Sequence, residues 1–162
     1  MTSTIGQGLP FGKVERSQGR TVGEGEFALL TSLTWTTRER NANKEFMARA
    51  DETDRELAAP VVVAIVASLA ALGGLNRALH EEYGVRTLAA MGLEAEFFAS
   101  VRPDDTLWAE SEVVSARDSA SRPGQGVLTL RDRGVNQRGE VVVEVTRTLL
   151  VARDEMGREE AR

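Results

Sequence analysis

The sequence predicts an α+β fold in which one long central helix, Leu57 to Tyr83, is wrapped by a curled antiparallel sheet of about five strands. Three observations carry this expectation. The run from Leu57 to Leu75 holds no charged residue, so a helix formed there is apolar nearly all round and has to be covered along most of its girth. Every apolar stretch after Gly84 reads as extended, through alternation or through β-branched residues. The connections between the last of these stretches are short and rich in turn residues, which makes neighbouring strands antiparallel.

Taken in order, residues 1–19 contain Gly6, Gly8, Pro10, Gly12 and Gly19 and read as an irregular lead-in with one short strand near Lys13 to Arg16. The main domain is expected over 20–153. Gly23 precedes Glu24 and Glu26, which suit the positive end of a helix, and Phe27, Leu30 and Leu33 recur at helical spacing. Thr34 to Ala50 is a polar and charged loop leading into a short helix around Phe46 and Met47. Asp51 to Glu56 is a charged connector to the central helix, which turns amphipathic through Arg77, Leu79 and His80 and stops at Gly84. Strands follow at Leu93 to Phe97, Leu107 to Val114, Val127 to Val135 and Val141 to Val151, and residues 154–162 read as a flexible tail. A single curled layer leaves sheet edge and helix surface open, which predicts pairing with a second such unit, as a homodimer or heterodimer.

Composition narrows the chemistry. Twenty basic against twenty-five acidic residues give a net charge of -5, so no general field favours nucleic acid or anionic lipid. The chain has no cysteine and one histidine, which excludes thiol nucleophiles, zinc–thiolate sites and any multi-histidine metal site within one chain. No metal is expected: Asp104 and Asp105 are adjacent turn carboxylates without further oxygen ligands. The run Leu57 to Leu75 is long enough to cross a hydrocarbon core of about 30 Å. It lacks an aromatic belt and a basic flank, so a protein-covered helix is expected rather than a membrane span, in a cytoplasmic protein.

Arg20-Thr21-Val22 with Glu24, Leu33-Thr34, Phe46, the Val101 to Leu107 turn, Ser121 to Gly124 and Val135 to Val141 together resemble the MaoC-like hydratase/dehydratase family, over about residues 10 to 153. The resemblance implies a hotdog fold that binds acyl thioesters of coenzyme A or acyl carrier protein and adds or removes water across a carbon–carbon double bond. It implies no resident cofactor, since the coenzyme or carrier is part of the substrate. Active members carry Leu-Thr-Gly-Asp, then Asn-Pro, then His four residues later. Setting Leu33-Thr34 on the first two positions places Trp35 where Gly is usual, Thr36 where Asp is usual and Asn41 where His is usual. Neither Thr nor Asn takes up and returns protons as those residues do. The family's Ala-His-Gly at the start of the central helix is replaced by Ala59-Pro60-Val61, which puts a branched side chain at the glycine of the oxyanion site.

The chain is most similar to the first half of double-hotdog members such as mesaconyl-CoA hydratases, in which that half lacks the Asp/His dyad and the other half carries it. The candidate catalytic residues are therefore Thr36 and Asn41, which can orient a water, and Glu39 and Glu45, carboxylates in the same loop able to replace the base. Arg38 and Arg40 are candidates to grip a substrate carboxylate or phosphate, with Asn43 and Val61 as further substrate contacts. Other roles remain open: a non-catalytic partner of a dyad-bearing hotdog chain, a hotdog thioesterase, or another specialised biosynthetic enzyme. His80 reads as a favourable helix C-terminal residue, Gly124 to Gly126 as a hairpin turn, and Arg122 and Arg138 as turn arginines within possible reach of coenzyme phosphates.

Overall fold

The computed structural model describes residues 5–50 and 54–153. Two short strands, β1 (Glu15–Arg16) and β2 (Arg20–Thr21), precede three helices, α1 (Glu24–Leu33), α2 (Glu39–Ala42) and α3 (Lys44–Arg49). The central helical segment is α4 (Ala59–Leu72) followed by α5 (Gly74–Glu81). Four long strands complete the chain: β3 (Val85–Phe97), β4 (Thr106–Asp118), β5 (Gln125–Asn136) and β6 (Val141–Arg153). All pair antiparallel in one open sheet of order β1-β4-β5-β6-β3, with β2 also on the outer edge of β4.

Period-two patterning decides which face of this sheet meets the helices. Leu107, Ala109, Ser111 and Val113 on β4, Leu128, Leu130 and Asp132 on β5, and Val143, Val145, Arg147, Leu149 and Val151 on β6 are buried, while most of their alternates, Val127 and Val142 excepted, are partly exposed. Irregularities in register at Val113/Ser115 and Gly134/Val135 add twist, so the layer curls toward the helix. Helix α4 seats directly on β5 at Gly134, where an added Cβ would lie 2.6 Å from Val66 Cγ2. The short loop between β5 and β6 turns at Gly139, whose φ of 79° is the left-handed conformation that favours glycine.

The expected single helix Leu57 to Tyr83 is two helices meeting at a bend. Gly73 has φ -76° and ψ 172°, an extended conformation that ends α4 and caps α5 at once. Only the sheet-facing side of α4 is buried, at Val61, Val62, Val66 and Ala70, and Leu72 is 88% exposed. The sheet therefore covers one side of the helix within a single chain and leaves the other apolar side open. By length and composition, Ala59–Glu81 is the one helical segment among the described residues that would suit a membrane crossing. Its seating on the sheet gives it the place of a core helix.

Strand β3 is far longer than the predicted Leu93 to Phe97, because it pairs with β6 from Val85 to Phe97. It is the free edge of the sheet and is exposed over most of its length, with Met91, Leu93, Phe97 and the following Phe98 all open to solvent. The loop expected over Thr34 to Ala50 contains two short helices rather than one. Residues 51–53 of the charged connector and the tail 154–162 lie outside the described residues.

Two apolar clusters fill the space beneath the helices. One gathers Val22, Phe27, Leu57, Val61, Val62, Val66, Val101 and Leu107 with Val142, Val143 and Val145; the other gathers Ile5, Leu9, Leu75, Leu79, Leu128, Leu130, Leu149 and Val151. Between them along the strands lies a polar group. Asp132, 0% exposed, accepts from Ser111 Oγ at 2.6 Å and from Arg147 Nε at 2.5 Å and Nη2 at 3.1 Å. Both carboxylate oxygens are thus satisfied, as burial of a charge requires.

Candidate functional site

A cavity of about 730 Å³ opens at the N-terminus of α4. Its walls come from three segments: Trp35 to Asn41 on one side, Glu56 to Val62 beneath, and Phe97 to Val101 at the end of β3 on the other. Phe97, Phe98, Pro60 and Val62 give it an apolar side, and Thr36, Arg38, Arg40, Asn41, Glu56 and Ser100 a polar one. That mixture of apolar wall and few convergent polar groups is what a small-molecule site requires. Ala58 offers no side-chain cap to α4 and the first turn of the helix carries no acidic residue, so the positive end of the helix faces the cavity without a capping side chain of its own.

The polar wall is held by bonds that reach across the chain. Thr34 Oγ1 donates back to Leu30 O at 2.7 Å, and Trp35 takes a φ of 55°, which swings the chain out of α1 and into the loop. Thr36 Oγ1 lies 3.0 Å from Thr34 Oγ1. Asn41 is buried, and its Nδ2 donates to Glu56 O at 2.6 Å, while Glu56 N donates to Arg40 O at 3.1 Å. Leu57 N donates to Val101 O at 2.8 Å, which ties the connector to the far wall. Two side-chain contacts hold the Glu56 carboxylate: Arg40 Nη2 at 2.9 Å from Oε2, and Ser100 Oγ donating to Oε1 at 2.8 Å.

Behind this wall, Arg55 is buried and stacks over the Phe27 ring at 5.1 Å. Its Nη2 donates to both oxygens of Glu24 at 2.6 Å and its Nε to Asp54 Oδ1 at 3.2 Å. The hydrogen bond from Arg55 holds the Glu24 carboxyl below its ordinary value. Arg102 Nη1 also donates to Asp54 O at 2.6 Å, so the connector is anchored on the side away from the cavity as well.

Of the residues singled out in the sequence, Thr36, Arg38, Arg40 and Asn41 line the cavity together. Glu39 lies in an adjacent recess of about 570 Å³ with Phe46 and Met47. Asn43 accepts from Phe46 N at 3.1 Å and so caps α3, and Glu45 sits exposed in the first turn of that helix; neither lines the cavity. Val61 points into the core beside Phe27 and is likewise absent from the wall, because the first turn of α4 directs its side chain beneath α1. Glu56 and Ser100 are the polar wall residues that the sequence does not single out, and the apolar Val62, Phe97 and Phe98 join them. Glu56 reads as one charge in a charged connector, and Ser100 lies forty-four positions further along the chain.

The turn residues have structural partners. Asp105 is buried and accepts from Arg102 N, Gln137 Nε2 and Arg138 Nη1 at 2.9, 2.7 and 2.8 Å. Burial works to raise its carboxyl, and the hydrogen bonds from Arg138, the Arg102 amide and Gln137 outweigh it, leaving the group below its ordinary value. Arg138 also donates from Nε to Glu140 at 2.8 Å, so its guanidinium is engaged within its own hairpin.

No family model matches the chain. A segment of 58 residues is 40% identical to mesaconyl-CoA hydratase of Cereibacter sphaeroides, covering 36% of this chain and 17% of that protein. Among solved structures, the MaoC-like dehydratase of Rhodospirillum rubrum superposes with a TM-score of 0.70 at 24% identity, over 90% of this chain and 94% of that one. A conserved double-hotdog protein of Mycobacterium tuberculosis gives a TM-score of 0.74 at 18% identity, and this chain covers 43% of its length. The 3R-hydroxyacyl-ACP dehydratase complex of the same organism gives 0.68 at 18% identity, over 93% and 99% of the two chains. The open antiparallel sheet curled on a bent central helix is a hotdog fold, and the chain is similar in structure both to MaoC-like dehydratases and to one half of a double-hotdog protein.

Proposed function

We propose that the chain binds acyl thioesters of coenzyme A or acyl carrier protein in the cavity at the start of α4 and takes part in hydration or dehydration of the acyl chain. The cavity itself carries the reading. Phe97, Phe98 and Val62 suit an acyl chain, the open end of α4 suits a thioester oxygen that gains charge, and Arg38 and Arg40 at the rim suit phosphate or carboxylate. Thr36 and Asn41 stand where the resemblance places an Asp/His dyad, and Asn41 already spends its amide on Glu56 O, so its work is to hold the wall.

The exposed edge of β3 fits a hotdog partner, either a second copy or another chain. Because the cavity wall at Phe97 and Phe98 continues that edge, an antiparallel partner strand there would close the open side of the site. A second reading, a non-catalytic subunit that completes the acyl site of a dyad-bearing chain, is favoured by the same edge and by the commitment of Asn41.

Isothermal titration with butanoyl-CoA, run beside free coenzyme A, tests the proposal. Saturable binding that is tighter for the thioester and weakened by Phe98→Asp supports it. Absence of binding by the chain, alone and as its oligomer, refutes it.

A further inference from the structure

A hydration site needs a group that takes a proton from water and delivers one to carbon, and a carboxylate is a side chain able to do both. Among the described residues lining the cavity, Glu56 is the only carboxylate; its neighbours are neutral or, like Arg38 and Arg40, permanently charged. The Glu56 side chain is 17% exposed, and that of its ion-pair partner Arg40 is 55% exposed. An ion pair with one partner so open to solvent adds little to stability. The connector, moreover, is already held without this carboxylate, through the Asn41 amide, the Arg40 and Val101 carbonyls and the buried Arg55. The fold therefore places a carboxylate at the cavity wall, with a hydroxyl against its Oε1, without depending on it for support.

We infer that Glu56, with Ser100 positioning its Oε1, is the proton-transferring residue of this cavity. The inference rests on the acyl-thioester reading above and assigns the group that would perform its chemistry. In hydration, a water O–H bond breaks as its proton passes to the Glu56 carboxylate and the water oxygen bonds to the β-carbon of the enoyl chain. The double-bond pair moves to the α-carbon and is shared with the thioester oxygen, facing the positive end of α4. The same proton then passes from Glu56 to the α-carbon, and the carboxylate is restored. One O–H bond and the carbon–carbon π bond are lost, one C–O and one C–H bond are gained, and water is added with no external oxidant or reductant. Dehydration is the reverse. A single carboxylate suffices when both proton transfers occur on one face of the acyl chain.

The test uses the full chain with three readouts: affinity for butanoyl-CoA, hydration of but-2-enoyl-CoA, and uptake of deuterium at the α-carbon of butanoyl-CoA in D2O, followed by mass spectrometry. The wild-type chain is expected to bind, hydrate and exchange. Glu56→Gln should keep its affinity within about threefold while hydration and exchange both fall by about 100-fold or more. Glu56→Asp should restore part of both. Ser100→Ala leaves the backbone bonds intact and is expected to lower both rates about tenfold at unchanged affinity, which keeps the inference open to refutation should Glu56→Gln fail to fold.

Retention of more than about a tenth of the wild-type rates in Glu56→Gln overturns the assignment. So does a wild-type chain that binds butanoyl-CoA yet neither hydrates nor exchanges, and that result leaves the binding reading standing. A wild-type chain that binds no thioester removes the binding reading and this assignment together.

Discussion

Replacing Gly134 by alanine tests how closely α4 is seated on the sheet. The new Cβ would lie 2.6 Å from Val66 Cγ2, 3.1 Å from Val143 Cγ1 and 3.2 Å from Val142 Cγ2. Carbon atoms rest at about 3.5–4.0 Å, so the Val66 contact is short by about 1 Å. All three neighbours are fully buried β-branched side chains with little rotamer freedom, so the helix has to lift or strand β5 has to bend. Overpacking of this kind costs about 2 kcal/mol. At about 2–4 °C per kcal/mol for a chain of this size, the melting midpoint should fall by about 4–8 °C. Val66→Ala alone should cost about 2 kcal/mol through the space it leaves. In the double variant the new methyl occupies that space, so the combined loss should be smaller than the sum by about 1–2 kcal/mol. Urea and thermal denaturation of the four proteins measure the cycle. Additivity within about 0.5 kcal/mol, or a Gly134→Ala midpoint within about 1 °C of wild type, would refute the close seating of the helix.

Two further changes probe the polar groups. Asp132→Ala leaves Arg147 buried without its counter-charge and should cost about 3–5 kcal/mol in urea denaturation, whereas Asp132→Ala/Arg147→Met should recover a large part of that loss. Asp105 has its folded value lowered, so its contribution is fully present above the ordinary carboxyl value of 3.8 and is lost as pH falls through the lower folded value. The stability difference between wild type and Asp105→Asn should therefore be constant from neutral pH down to about 5 and shrink below about 4, read from denaturation midpoints at each pH.

Much of this fold is legible in the residues because burial and periodicity coincide there. Phe27 and Leu30 mark α1, and the alternation of Leu107, Ala109 and Val113 or of Val143, Val145 and Leu149 fixes both strand and face. Where side chains do not report burial, the sequence says less. Residues 85–92 of β3 carry no clear alternation, because a strand at a free edge is defined by its backbone bonds to β6 and keeps most of its side chains in solvent. The bend at Gly73 is hidden inside an apolar run whose helical pattern continues on both sides; only the backbone angles reveal that the two helices part there.

The same division holds at the site. The loop containing Thr36, Arg38, Arg40 and Asn41 is visible as a polar cluster with no means of burying itself as a regular element, and all four residues do line one cavity. Which carboxylate joins them is not visible. Glu39 and Glu45 are nearer in sequence, but the short helices α2 and α3 direct them elsewhere. Glu56 is brought in by partners at Arg40 and Ser100 that no local pattern links to it.

The polar trio of Ser111, Asp132 and Arg147 gives the interior a watershed. On one slope lie Phe27, Val62 and Val101, close to the candidate site; on the other lie Leu75, Leu79 and Leu128. Across that ridge the hydrocarbon of the two basins is interrupted on the sheet, and Gly73 parts them on the helical side as well. Erosion of the far basin, by trimming Leu79 for example, thus lowers global stability without reshaping the walls around Glu56.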